Sequence, residues 1–455
     1  MSPKLSQYKN RINSLKKWLI SFFCALVIFF ISWWQINSSY SFTVEDSLHG
    51  KIAVFNYEIA NKFNFIKKIK ERFCTTLIDT NVIFINTGRD LQLIDDQSTG
   101  GNVAVADREK LLTLFKLIAA AKKKPTQILV DLNFDMHYTY NADSVQNNQY
   151  TPVASTLAYK KIDAEINDTI GSTKHLSLSV KLNDHSSDKI AYPVYKANSY
   201  GIVDYTTYGL RLNKFRLYYN KIKMPSMPLV IFKVNRDTLS ENKDSFYGSS
   251  LATFYKEYSV SKGHSAYSTY LCFNYIWPTY YYRDLYYYDS PDNRAEPSAV
   301  RGYRLGDLIT FLKADTNYRD NIFSKKSVLI GNFDDDKHIT YNGQIPGTLI
   351  LWDIYLSLLN GQEKVSFIWF FLVIATFTIL SYYAIYAKLP KIGEYKGTNR
   401  VLALVRIIID DITYLFILTS LSVISTLFFN VPLSIIIPAV IFFLIEKSVS
   451  FINKQ

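Results

Sequence analysis

The feature that most constrains this chain is a run of 19 residues, Trp18 to Ile36, without a single charge. In a helix rising 1.5 Å per residue, that is about the length needed to cross a hydrocarbon core of ~30 Å. Trp33 and Trp34 close the run, where an aromatic belt would meet the water interface. A secretory signal also starts basic, as Lys4, Lys9, Arg11, Lys16 and Lys17 do here. Its apolar core is usually about 7–15 residues and leads to small residues at a cleavage site. This run is longer and ends in bulky Trp-Trp-Gln. The reading is an uncleaved anchor, residues 18–36, behind a basic segment, residues 1–17, with a cleaved signal as the alternative.

Three more apolar runs lie near the other end. Residues 365–387 carry no charge, and the basic loop 388–403 follows, with Lys388, Lys391, Lys396 and Arg400 against Glu394. A third span is expected over 404–429 and a fourth over 433–445, ahead of the tail 446–455. Basic residues concentrate in cytoplasmic segments, so the three basic segments belong on one side. Four spans then leave both termini cytoplasmic and residues 37–364 extracytoplasmic, which predicts a multi-pass membrane protein. Those segments hold eleven basic and two acidic residues, most of the net charge of +12. The positive charge is therefore topogenic, and nucleic acid is not an expected partner.

The third span contains Arg406, Asp410 and Asp411. Arg406 and Asp410 are one helical turn apart and can neutralise each other. Ionisable groups inside a membrane mark function by default, but these lie near the cytoplasmic end, where snorkelling is the simpler reading. Of three cysteines, Cys24 falls in the first span. Cys74 and Cys272 are left in an oxidising compartment, as a candidate disulfide or as two buried thiols.

The long middle reads as α/β. Residues 81–86 (NVIFIN) and 127–134 (QILVDLNF) are short apolar runs of the kind buried strands show, and residues 107–122 between them have helical spacing with Asp107 as N-cap. Strand, helix, strand at that spacing predicts a βαβ unit with parallel strands. A helix is expected over 163–171, a strand over 176–180, a helix over 304–313, a strand over 327–330, a polar loop (GNFDDDKHITYNGQ), and an apolar helix over 346–360. Residues 190–290 are Tyr-rich with β-type patterning (FRLYYNKI, PLVIFKVN, STYLCFNYIW, YYYRDLYYY), read as a β insertion. Exposed tyrosines would suit sugar or peptide ligands, though Tyr also fills ordinary strand positions. The fold class expected is an α/β extracytoplasmic domain with a mostly parallel central sheet and this insertion, plus four transmembrane helices, one N-terminal and three C-terminal.

An anchor, a long α/β outer region and three further spans resemble the second type of CHASE domain, an extracellular sensory module associated with cyclases and histidine kinases. The residues carrying the likeness are Asn81 to Asp90, Asp107-Arg108, Ile128 to Asp135, Ile162 to Glu165, and above all Phe323 to Gln362 with Ile330-Gly331, Asp336 and Pro346-Gly347. The Trp-Pro pair common in the family before the Arg is replaced by Val105-Ala106. The resemblance implies a sensor. Family members often carry an output domain after the last span, whereas here only nine residues follow Glu446; a signal would pass to a separate partner.

Asp131 and Asp135 are expected at a strand end, where parallel sheets bind ligands, and with Arg89, Asp90 and Arg108 they would line a crevice at the sheet's carboxyl edge. The simpler reading pairs the acids with Arg108 and with helix ends. Asp334, Asp335, Asp336 and His338 make an oxygen-rich loop for a hard cation, or a solvated turn. No zinc-ligand spacing, nucleophile elbow, P-loop or kinase signature is present, so neither a cofactor nor an enzymatic activity is expected. The leading expectation is a receptor-like protein of the bacterial inner membrane with a membrane or cytoplasmic signalling partner, in a homo-oligomer or hetero-complex within the lipid bilayer. The alternatives are a scaffold subunit of an envelope complex and, less favoured, a transport component using Arg406, Asp410 and Asp411.

Overall fold

The computed structural model describes residues 3–37, 43–63, 65–66, 81–96, 101–134, 154–184, 187–203, 214–216, 218–219, 222, 224–232, 270–272, 301–340, 343–359, 367–387, 400–429, 431 and 433–452. The chain divides into two compact units: a helical one of Met1–Thr76, Asp244–Asn274 and Gly361–Gln455, and a sheet-centred one of Leu77–Lys243 and Tyr275–Asn360.

The helical unit contains α1 (Pro3–Asn37) and α2 (Thr43–Lys62), then α8 (Phe367–Tyr386), α9 (Arg400–Phe429) and α10 (Ile436–Ile452). In α1, Ser21, Ala25, Ile28, Ser32 and Gln35 recur at helical spacing and are buried, while Leu19, Phe23, Val27, Phe30 and Trp34 on other faces stay exposed. Ala25 and Phe29 share one core with Trp369, Phe377, Leu418 and Phe442. A helix apolar all round that buries only one stripe suits a lipid environment. By length and composition, Ile12–Gln35 and Phe367–Tyr386 could each cross a membrane. The expected third and fourth spans fall short of that measure among the described residues: the apolar part of α9, Thr413–Phe429, is shorter. Helix α10 has 17 residues and carries Glu446 and Lys447.

The sheet unit begins with β1 (Val82–Asn86), β2 (Leu91–Asp96), β3 (Gly101–Ala106), α3 (Arg108–Ala120), β4 (Gln127–Asp131), α4 (Ala154–Ser172), β5 (Leu176–Asp184), β6 (Ser187–Ala191) and β7 (Ser199–Ile202). After short strands β8 (Lys214–Arg216), β9 (Tyr218–Tyr219) and β10 (Met224–Pro225), and β11 (Tyr270–Cys272) of the other unit, come β12 (Arg301–Arg304), α5 (Leu305–Ala314), α6 (Thr316–Ile322), β13 (Ser327–Gly331), β14 (Lys337–Thr340), β15 (Gly343–Pro346) and α7 (Gly347–Leu359). The sheet order is β12-β1-β13-β4-β5, with β6 and β7 both on β5. Every pairing is parallel except β5 with β6. Strands β1 and β4 are thus not neighbours; β13, a late strand, lies between them.

Strands β1, β4 and β13 read as unbroken apolar runs because both faces are covered. One face, with Ile83, Ile85, Val130 and Ile330, packs on α3, α4 and α5 through Leu111, Phe115, Ile166 and Leu308. On the other, Phe84 meets Trp352 of α7 edge-on at 6.0 Å and Phe333 at 5.9 Å. The Asp107 side chain caps α3, accepting from the Lys110 N–H at 3.0 Å.

Three expectations change. Residues 227–232 are helical and include the first five of the expected strand PLVIFKVN, with the Val230 N–H bonded to Ser226 O at 3.0 Å. A short apolar run that is buried all round looks alike in strand and helix. The polar loop after β13 contains the hairpin β14–β15. Helix α2, placed in the outer domain by sequence, belongs to the helical unit, where Ile52 enters the core and the Asn56 side chain donates to Val423 O at 3.3 Å. Most of 233–300, including YYYRDLYYY, lies outside the described residues, as does Cys74.

Candidate functional site

Parallel pairing lines up three strand ends. Asn86 of β1 pairs with Gly331 of β13, which pairs with Asp131 of β4. These positions fall on the same face as Phe84, Leu329 and Leu129, because side chains alternate along a strand. That is the face covered by α7. The hairpin β14–β15 ends directly in α7, so Thr348 in its first turn arrives over the end of β13.

Gly331 makes the approach possible. A β-carbon there would lie 2.0 Å from Thr348 Oγ1. With the space open, the Thr348 hydroxyl reaches across β13 and donates to Asp131 Oδ2 at 2.8 Å. Asp336 and His338 close the other side: His338 Nε2 is 3.3 Å from Asp336 Oδ1. Both abut Gly347, where a β-carbon would lie 2.6 Å from Asp336 Oδ2 and 3.2 Å from His338 Nε2.

Burial pushes the Asp131 carboxyl up to about 6, helped by the Asp336 charge and opposed by the Thr348 bond, Lys181 and His338. A carboxyl poised there exchanges its proton near neutral pH and switches between donor and acceptor.

Neighbouring loops frame this corner. Asn86 Oδ1 accepts from the N–H groups of Gly88 (2.8 Å) and Phe333 (3.0 Å), while its amide donates to Asp334 Oδ2 at 3.3 Å. Asn332 Oδ1 accepts from Asp334 N and Asp335 N at 3.1 and 3.0 Å. Asp334 and Asp335 are thereby engaged in shaping the turn. Among the described residues, no group of three His, Cys, Asp or Glu is placed to hold a metal.

The residues expected to share one crevice are spread out. Asp131 is at the strand end. Arg89 is exposed, 4.0 Å from Asp334. Asp90 accepts from Lys110 Nζ at 2.6 Å and Gly306 N at 3.1 Å, tying the loop after β1 to α3 and α5. Arg108 is buried: it donates to the Tyr195 hydroxyl, which donates to Asp163, and its guanidinium lies 4.6 Å from the Phe134 ring centroid. It braces α3 against α4 and is not a wall of a crevice. Asp135 lies outside the described residues. Arg406, Asp410 and Asp411 lie on α9, and Cys272 is in β11.

Sequence reasoning missed Thr348, Gly331 and Asn86 as site residues; the Pro346-Gly347 turn opening an apolar helix beside a strand end was the available signal. It also missed Asp353, two per cent exposed on α7, whose carboxylate oxygens have no hydrogen-bond partner among the described residues. Burial pushes that carboxyl well above the usual range.

No family model matches this chain, and no curated protein or solved structure matches it either. The assignment of function therefore rests on the molecule's own chemistry.

Proposed function

We propose that this protein is a receptor of the bacterial inner membrane, whose sheet unit binds a small polar ligand outside the cytoplasm and whose helical unit carries the response to a separate partner protein. On this reading the chain crosses the membrane four times, with residues 18–36, 365–387, 404–429 and 433–445 as spans and both termini cytoplasmic. The sheet unit acts as a CHASE-like sensor. The observation that carries the proposal is the bond from Thr348 to Asp131 across Gly331. A ligand that engages Asp131 competes with that bond and displaces the first turn of α7, whose chain continues to α8 after residues 360–366. Binding energy spent differently in two positions of α7 is what a signal requires.

The test is a thermal-shift panel of amino acids, sugars and amines on the detergent-solubilised full chain, with affinity purification from native membranes alongside. A compound that stabilises the wild type and fails on Asp131→Asn, or co-purification of a kinase, cyclase or regulator in stoichiometric amount, supports a receptor. A silent panel with stoichiometric structural envelope proteins overturns it in favour of a scaffold.

A further inference from the structure

Helix α2 is fixed at two depths along the bundle by buried polar side chains. Near its start, Glu45 accepts from the Ile435 N–H at 2.6 Å and from Gln35 Nε2 at 2.8 Å, while Gln35 Oε1 accepts from Ser434 Oγ at 2.5 Å. The carboxylate thereby takes an N–H at the head of α10, a favourable place for negative charge. Further on, Asn56 holds the carbonyl of Val423 on α9. Ile435 lies beyond the end of α9 at Phe429, whereas Val423 lies six residues inside it. At 1.5 Å per residue, α2 starts at the α9–α10 turn and by Asn56 has descended beside α9 to about 9 Å below its end.

The face of α2 turned off this seam is mixed. Val44, Lys51, Phe55 and Lys62 are seven, four and seven residues apart and so line one side at about 100° per residue. All four are exposed, Val44 at 71% and Phe55 at 49%. Just past the helix, Phe63 and Phe65 are also exposed. An aromatic and basic stripe at the depth of an apolar helix fits the headgroup–acyl boundary, where phenyl rings enter the chains and lysines reach back to phosphates.

We propose that α2 enters the leaflet on the α9–α10-turn side, its exposed Val44–Lys51–Phe55 face being occupied by phospholipid. This rests on α1 and α8 being membrane spans. The experiment uses the full chain in phospholipid nanodiscs, with Cys24, Cys74 and Cys272 changed to Ser and one environment-sensitive fluorophore on Ile20→Cys (α1), Phe55→Cys or Lys313→Cys, an exposed position on α5. Nitroxide carried mid-chain on the lipid quenches what lies in the acyl layer. Labels at 20 and 55 both quenched several-fold more than the label at 313 is the expected result. Quenching at 20 with position 55 behaving like 313 overturns the lipid-facing helix and leaves the spans standing. Quenching at neither overturns the spans and this proposal with them. A label on Lys51→Cys repeats the measurement with Phe55 intact.

Discussion

At Gly331 the absence of one methyl group decides whether β4 and α7 can communicate. Gly331→Ala is expected to push Thr348 off Asp131 and to cost about 1–3 kcal/mol, the usual range for overpacking; chemical denaturation of the variant measures it. Asp131 gives a pH-dependent prediction. Its folded pKa of about 6 exceeds the ordinary 3.8, so the folded state holds its proton more tightly than the unfolded one. Stability falls as pH rises from about 4 to 6, and the deficit, about 3 kcal/mol at most, persists above that. Asp131→Asn should therefore be more stable than wild type at pH 8 and indistinguishable from it near pH 3.5, as paired thermal melts would register. Asp353 is a buried acid with no hydrogen-bond partner among the described residues. Asp353→Leu is expected to raise the melting temperature, because it removes a polar group whose desolvation nothing offsets; a lowered one would mean that the carboxyl is used. The place of Asp131 was legible because it ends an apolar strand. Thr348 and Gly331 were not, since their meaning lies in a bond between residues 217 apart in sequence.

At the level of elements, the signals that carried through were the unbroken apolar strands and the capped helix. β1, β13 and α3 appear within a residue or two of their expected places, and β4 begins where expected but ends three residues early at Asp131, because burial on both faces, or one capped amphipathic stripe, leaves few alternatives. What failed was whatever depended on a distant partner. Helix α2 has little apolar patterning of its own and is held by Glu45 and Asn56. Residues 227–232 chose helix over strand, a choice their apolar run does not determine. Glu45→Ala should leave the head of α10 without its cap and destabilise the helical unit by about 0.5–2 kcal/mol, the range for losing a side-chain cap. Denaturation followed by the fluorescence of Trp369, which lies in the same core, checks it; an unchanged midpoint would show that Glu45 is dispensable.

Over the whole molecule, the sheet unit is assembled from two stretches of chain separated by Asp244–Asn274. The parallel order was legible in outline, since strands alternating with helices predict it, but the place of β13 was not, because nothing local to SVLI says which neighbours it takes. The arrangement implies that chains ending before Ser327 lack a protease-resistant sheet, while chains extended through α7 acquire one. Limited proteolysis of a truncation series tests this, and resistance in the shorter chains would refute it. The central strand is the late arrival: Thr87 waits for Gly331, 244 residues downstream. During synthesis, β1 and β4 emerge long before the strand that joins them, each with a bare edge ready to pair wrongly. A cell making this protein must shelter those open strand edges for the whole time that separates them from β13, so its yield is set by holding factors during synthesis as much as by the stability of the finished sheet.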